Sequence, residues 1–337
     1  MATLAVTNPT LLDLAKVTDP DGSIAAVVEI LNETNEVLDE MSWMEGNLTT
    51  VRTGIPVPTW RKLYGGVQPN KSSTVQVTDN TGMLEAYAEV DKALADLNGN
   101  TAAFRLQEDR PHIEGMNQEI VDTLFFGNEA TEPEAFTGLA PRFANLTADE
   151  NSDNVIDGGG SGSDNASIWL VVWGPNICHG IIPKGSTAGL QVQDKGQVTL
   201  EDASGGSNTG RMEAYRTHYR WDAGLSVRDW RYIVRIANID KSALIRTYTA
   251  GTFASGAILP DLMFQAMRLV PNLSAGRASF YMSRDIATWV SRQSAAMANG
   301  STITVSEAPG VRKFTESFQG IPMRRCDALS ADEAALT

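Results

Sequence analysis

The chain has 337 residues, 42% of them hydrophobic and 20% charged, enough to bury one elaborated core or two ordinary ones, so a disordered chain is excluded. A formal net charge of −14 excludes a protein that grips nucleic acid along a basic face, because neutralising phosphates requires clustered Lys and Arg. Two distant cysteines exclude a disulfide scaffold and the C-x-x-C spacings of zinc and redox sites; with no secretory signal and no run near the ~18 apolar residues of a membrane span, a soluble protein made in a reducing cytosol is expected.

In chain order, Asp19-Pro20-Asp21-Gly22-Ser23 is a turn into a helix, because Ile24, Val27, Val28, Leu31 and Leu38 then recur at helical spacing and predict an amphipathic helix ending near Met41. The residues before it read as an arm held by something else. From Gly46 to Gly82 the composition turns to Thr, Val, Gly and Pro, which predicts a long two-stranded excursion. It is too poor in apolar residues for a core of its own, and an isolated hairpin is marginal in water, so it needs a neighbour.

After the Asn98-Gly99 turn, Ile113, Met116, Ile120 and Leu124 predict a long helix stopped by Gly127, with a kink or break expected between Arg105 and Pro111. Residues 147–167, containing "DGGGSGSDN", read as a flexible surface loop, and "IWLVVW" (168–173) as a strand buried on both faces. Residues 184–211 form a second long irregular or hairpin region. In "DWRYIVRIANID", alternation places Trp230, Tyr232, Val234 and Ile236 on one side and Asp229, Arg231 and Arg235 on the other, a half-buried strand whose arginines make surface or subunit contacts. Pro260 begins a helix facing inward through Leu262, Ala266 and Leu269. "RASFYM" (277–282) is a strand, and Ser283 caps a helix carrying Ile286, Trp289, Val290, Gln293 and Met297, ended by Asn299-Gly300. Short strands close the chain, and the terminal "ADEAALT" is polar enough to be disordered.

The motifs that suggest chemistry do not survive inspection. Cys178 and His179 in "GPNICHGIIPKGST" are adjacent on a predicted strand, which sends them to opposite faces and prevents a nucleophile–base pair. Lys184 precedes Gly185, where a phosphate loop needs Lys after the second glycine, and "DGGGSGSDN" lacks both the glycine spacing and the preceding strand of a dinucleotide fingerprint. Three histidines without paired spacing leave no transition-metal site. "YRTHYRWDAGLSVRDWRYIVR" interleaves basic and aromatic residues as a single-strand groove does, but alternation turns the rings inward. No catalytic residue, cofactor or metal is expected, and two segments unable to fold alone favour an assembly protein.

Several ordered stretches together carry a resemblance: "IAAVVEILNETNEVLDEMSWMEGN", "TVRTGIPVPTWRKLYGGVQPNKS", "MLEAYAEVDKALADLNGNTAAFRLQE", "EGMNQEIVDTLFFGN", "FTGLAPRF", "SIWLVVWGPNICHGIIPKGSTAGLQ", "AYRTHYRWDAGLSVRDWRYIVRIANID" and "FQGIPMRRCDALS". Spanning nearly the entire chain, they resemble the major capsid proteins of tailed bacteriophages, in a short-tailed-phage branch with the Hong Kong 97-type shell fold. The resemblance implies an α+β fold with an N-terminal arm and helix (1–45), an extended β loop (46–84) that in the family lies across the adjacent subunit, and a peripheral domain (85–255) with a spine helix at about 101–127. An axial domain (256–305) and C-terminal strands returning to the peripheral domain (306–337) complete it.

It further implies pentamers and hexamers of this chain closing an icosahedral shell around double-stranded DNA in the virion. Scaffolding, portal and cement or decoration proteins would be partners, assembly would occur in the host bacterial cytoplasm, DNA would be contacted nonspecifically at most, and no membrane would be involved. Arg52, Trp60, Arg61 and Lys71 of the extended loop are expected at subunit contacts. The alternatives are an encapsulin-like nanocompartment shell and, from a different class, a cytosolic Cys-His hydrolase. The Lys–Asn cross-linking of some relatives is not carried over, because no residue pair identifies it.

Overall fold

The computed structural model describes residues 35–45, 48–97, 101–147, 150–201, 210–247, 256–296, 303–307, 314–330 and 332–337. The expected arm and most of the 19–41 helix lie outside the described residues, as do Asn98-Gly99, Met297 and Asn299-Gly300. A continuous helix up to Met41 is not what forms: Asn35 makes an isolated β-bridge with Cys326, and only the single turn α1 (Val37–Glu40) is helical before Met41, because pairing with the chain's distant C-terminal segment takes the backbone of Asn35 out of the helix. The described residues divide into two compact units: those within 83–120 and 187–222 form a smaller one, and those within 35–82, 121–186 and 223–337 a larger one.

In the smaller unit, strand β4 (Thr81–Asp91) leads into the short helix α2 (Lys92–Asp96), whose N-cap Asp91 accepts hydrogen bonds from the backbone N–H groups of Ala93 and Leu94. Helix α3 (Thr101–Phe126) follows, and its residues up to Ile120 belong here. Strands β8 (Gln191–Glu201) and β9 (Arg211–Val227) pair as an antiparallel hairpin, Gln191 opposite Arg220 and Glu201 opposite Arg211, and β9 also lies beside β4. The hairpin alternative expected for 184–211 is therefore the one realised, although residues 202–209 lie outside the described ones.

Strand alternation aims Ala88 and Tyr219 at Met116 of α3, with Leu84, Ala86, Leu190 and Trp221 packed around them, while Val90 and Ala95 meet Phe104. Helix α3 runs without a break through Pro111, against the expected interruption. Proline removes one hydrogen bond of the ladder, but the turns on either side are fixed by the buried Phe104 and Met116, so the helix continues past a local defect. Ile113, expected on the inner face, is 41% exposed, because the buried stripe runs through Phe104, Met116, Ile120 and Leu124 and Ile113 falls outside it.

The larger unit is built on a seven-stranded sheet in the order β12-β13-β14-β11-β6-β10-β5. These strands are β5 (Val155–Asp157), β6 (Asn165–Trp173), β10 (Ile233–Asp240), β11 (Arg277–Met282), β12 (Ile303–Glu307), β13 (Phe314–Phe318) and β14 (Ile321–Arg325). Every residue of β6 is buried, the continuous apolar run giving the two-sided strand it predicts. Antiparallel β10 and β11 flank it, Ile233 opposite Val171 and Phe280 opposite Leu170. Phe125, Phe143, Trp169 and Tyr281 form an aromatic core, Trp169 standing 6.1 Å from Phe125 and 6.0 Å from Phe143.

Helix α4 (Lys241–Thr247) follows β10. Helix α5 (Leu259–Leu269) opens at Pro260 as expected but buries Leu259, Met263 and Ala266, leaving Leu269 exposed. Helix α6 (Arg284–Ala296) is capped by Ser283, whose Oγ accepts from the Ile286 N–H.

Three expectations fail in this unit, each because a distant segment covers what looked like surface. The "DGGGSGSDN" stretch is packed against β10 and not free: Gly158 and Gly160 donate to the Ala237 and Asn238 carbonyls, and a Cβ on either would meet that backbone at 2.8 Å or less. Trp230–Tyr232 forms a 3-10 turn, so the expected alternation starts too early, and β10 is buried on both faces, Arg235 included. The terminal residues 332–337 are fastened: the Glu333 N–H donates to Asn165, and the Leu336 N–H and carbonyl both bond the side chain of Asn238.

The remaining strands are β1 (Trp43–Glu45) and β7 (Cys178–Ile182), paired parallel, with Ala223–Val227 of β9 antiparallel to β7. Strands β2 (Leu48–Gly54) and β3 (Ser73–Thr78) form a separate two-stranded sheet, Leu48 opposite Thr78 and Gly54 opposite Ser73. This is the expected excursion.

Candidate assembly surfaces

The hairpin β2–β3 and the segment 55–72 joining its strands carry an unusual surface. Ile55, Val57, Leu63 and Val67 are exposed, as are Tyr64 and, completely, Trp60. Isolated apolar side chains on a surface are ordinary, but a contiguous segment of this kind marks an interaction site. Its tip is a built turn: the Gly65 N–H donates to the Lys62 carbonyl at 3.0 Å, and Tyr64 takes the left-handed conformation at φ 62°, uncommon for a bulky residue.

The four residues expected at subunit contacts all lie on this loop and are all exposed, Trp60 and Arg61 adjacent beside the tip, Arg52 on β2 and Lys71 just before β3. Lys62, Leu63 and Tyr64 share the same exposed turn, and a sequence signal for the turn as a whole existed. Residues 48–78 hold Arg52, Arg61, Lys62 and Lys71 without one acidic residue, inside a chain of net charge −14.

The base of the loop is fixed by ionic chemistry. Asp79, directly after β3, is buried; it accepts from Arg142 Nη2 at 2.9 Å and from Ser226 Oγ at 2.7 Å. Arg142 also donates through Nε to the Gly138 carbonyl, so both charges are bonded and not merely close. Before the loop, a chain of bonds holds the segment around α1. Trp173 Nε1 donates to the Tyr281 hydroxyl at 2.7 Å, which donates to Glu40 Oε2 at 2.8 Å. Arg324 then bonds Glu40 Oε1 at 2.7 Å and Glu36 Oε2 at 3.1 Å. Burial and the neighbouring Glu40 charge push the Tyr281 hydroxyl well above its ordinary value, which keeps it a donor.

Arg235, expected at the surface, is the centre of a buried cluster. It donates to Glu333 Oε2 at 2.5 Å, to the Phe143 carbonyl at 2.9 Å and to Ser167 Oγ at 3.2 Å, with its guanidinium 5.1 Å from the Trp169 ring. The chain's end supplies the carboxylate that makes this burial tolerable.

The motifs that suggested chemistry are inert here. Cys178 is fully buried, and burial raises its thiol far above the range in which a thiolate forms. His179 is likewise buried, neither ring nitrogen has a hydrogen-bond partner among the described residues, and burial with the Arg228 charge lowers it to about 4. Three basic residues of β9 are already paired: Arg216 with Glu89 at 2.5 Å, Arg220 with Asp222 at 2.9 Å and His218 with Glu85 at 3.2 Å. Tyr219 is buried on the opposite face, as the inward-ring reading expects. Charges neutralised inside the fold are not available to phosphates.

A family model described as Major capsid protein GP7 matches residues 19–337. Among solved structures, a chain of bacteriophage Epsilon15 is similar at 37% identity with a TM-score of 0.77, all of both chains being covered. The capsid of bacteriophage JBD30 shares the fold at 11% identity and a TM-score of 0.50, over 89% of this chain and 93% of that one. An encapsulin, SrpI of Synechococcus elongatus PCC 7942, reaches 10% identity and a TM-score of 0.42, over 65% of this chain and 92% of its own. No curated protein matches. An exposed apolar loop on an ionic base, a family match over nearly the whole chain and a relative 37% identical throughout lead to one conclusion: the chain belongs to the Major capsid protein GP7 family, tailed-phage shell subunits of the Hong Kong 97-type fold.

Proposed function

We propose that this chain assembles into pentamers and hexamers, and these into an icosahedral shell around double-stranded DNA, with the loop of residues 48–78 lying on the adjacent subunit. One observation carries the contact: a structured turn presents Trp60 and Tyr64 wholly to solvent beside Arg61 and Lys62, neither of which makes an ion pair among the described residues. Burying an aromatic side chain of this size stabilises an interface by about 1.5–3 kcal/mol. Repeated around a ring, such contacts reinforce one another because each one raises the effective concentration of the next.

On the same reading, residues 85–255 with α3 form the peripheral domain, residues 256–305 the axial domain, and the strands of residues 306–337 return to the peripheral domain. Scaffolding and portal proteins, and in some shells a cement protein, would join assembly in the host cytoplasm. The protein's work would be structural and not catalytic, in keeping with the inert Cys178 and His179. Negative-stain electron microscopy and sedimentation of the purified protein, with and without its scaffolding protein, test this. Closed shells or capsomer rings are expected, and a compact monomer under both conditions overturns the reading.

A further inference from the structure

The larger unit contains a cavity of about 480 Å³ with a divided lining. Phe126, Pro141 and Leu336 supply apolar wall, Asp122, Glu333 and the Lys241-paired Asp332 supply carboxylates, and the cation in the lining, Arg235, is bonded to Glu333. Its size is within the range of pockets that seat a small group. Among the described residues no basic side chain pairs with Asp122, and partial burial, helped by the nearby Glu132 carboxylate, raises its pKa, so it stands where a cation would relieve it. Glu333 is nine-tenths buried and commits Oε2 to Arg235, while its Oε1 has no hydrogen-bond partner among the described residues. An unbonded carboxylate oxygen at such depth is rare in a finished structure and marks a place still short of a donor.

We propose that this cavity is the acceptor for the Arg61–Lys62 tip of the extended loop of a second copy of the chain. The inference rests on the assembly reading above and adds the residues that receive the loop. Three features of the tip match the cavity. It is basic, in a loop with no acidic residue between 48 and 78. None of Arg52, Arg61, Lys62 and Lys71 makes an ion pair among the described residues, so the charge is unspent. The basic pair is bracketed by Trp60 and by Leu63 and Tyr64, whose exposed apolar surface matches the wall of Phe126, Pro141 and Leu336. A Lys or Arg stem lies along apolar surface while its head reaches a carboxylate, so one side chain serves both halves of the lining. The carboxylates would select a basic tip, and the apolar wall would hold it in high salt.

Two experiments test the contact in the full chain. In the first, Lys62→Cys and Ala334→Cys are introduced together; Ala334 is exposed at the cavity, and the native cysteines are buried. Mild oxidation of assembled shells is expected to give a ladder of covalent dimers and higher multimers in denaturing gels, absent from either single variant. Shells that form normally but stay monomeric on the gel, or that cross-link only within one chain, overturn the acceptor site while leaving the assembly reading intact. In the second, Asp122→Lys alone is expected to raise the concentration needed for assembly by about tenfold, and combining it with Arg61→Glu and Lys62→Glu to recover most of that loss. A combined variant no better than the singles, with thermal melting showing all of them folded, counts against the pairing. Wild-type protein that forms no shells overturns the assembly reading, and the acceptor site with it.

Discussion

Asp79 and Arg142 lie 63 positions apart in the chain, and their side chains meet at 2.9 Å at the foot of the extended loop. Asp79 is 4% exposed and Arg142 21%, so removing one partner strands the other in a poorly solvated site. Breaking a buried pair this way costs about 3–5 kcal/mol, and the partial exposure of Arg142 places Asp79→Ala at the lower end, ~3 kcal/mol. Urea unfolding of the unassembled subunit measures it. Asp79→Asn, which keeps a hydrogen-bonding carbonyl toward Ser226, is expected to lose less. Equal losses for both variants would mean that charge contributes nothing at the loop base.

Arg235 and Glu333 make a stronger case, with side-chain exposures of 5% and 10%. Glu333→Ala leaves a guanidinium buried on a central strand with only carbonyl and hydroxyl partners, and is expected to cost ~3–5 kcal/mol. Arg235→Met with Glu333→Leu removes both charges and is expected to be far milder than either half alone. A double-mutant cycle by calorimetry on unassembled protein reads the coupling, and simple additivity would show that the tail does not serve Arg235.

What could be read from the chain and what could not divides along sequence distance. The run at 168–173 announced its burial because every residue is apolar, and the Ser283 cap lies three residues from the N–H it accepts. The loop was visible as a segment unable to fold alone. Arg235 was misplaced because local alternation is blind to a carboxylate 98 residues later, and Pro111 was overweighted because propensity ignores the packing of Phe104 and Met116 on either side. Asp79, Arg142 and Ser226 carry no joint signal at all; only the meeting of β3, the segment after α3 and β9 puts them together.

His179 yields a pH prediction. Burial lowers its folded-state pKa to about 4 against an unfolded value near 6.5. Between those values the unfolded chain binds more protons than the folded one, so stability rises with pH across the window and falls as the solution is acidified from about 6.5 toward 4. The shift corresponds to at most ~3 kcal/mol at 1.36 kcal/mol per unit. His179→Leu, which fills similar space without a titrating group, is expected to flatten the stability profile of the unassembled subunit over pH 4–6.5. A profile identical to wild type in that window would mean that other groups set it.

Trp60 separates stability from assembly. Its side chain touches nothing that shields it from water in the isolated subunit, so Trp60→Ala is expected to change unfolding free energy by less than about 0.5 kcal/mol. If the loop docks on a neighbour, the same substitution removes a buried aromatic from every contact, and the concentration needed for assembly is expected to rise by at least tenfold, ~1.5 kcal/mol per contact. Fluorescence reads the same event directly. The difference between wild type and Trp60→Phe isolates this one tryptophan from the other six and is expected to show a water-exposed emission in subunits that shifts to the blue in shells. An unshifted difference spectrum in assembled shells would leave Trp60 in water and remove it from the interface. A large loss of subunit stability would instead place its contacts within its own chain.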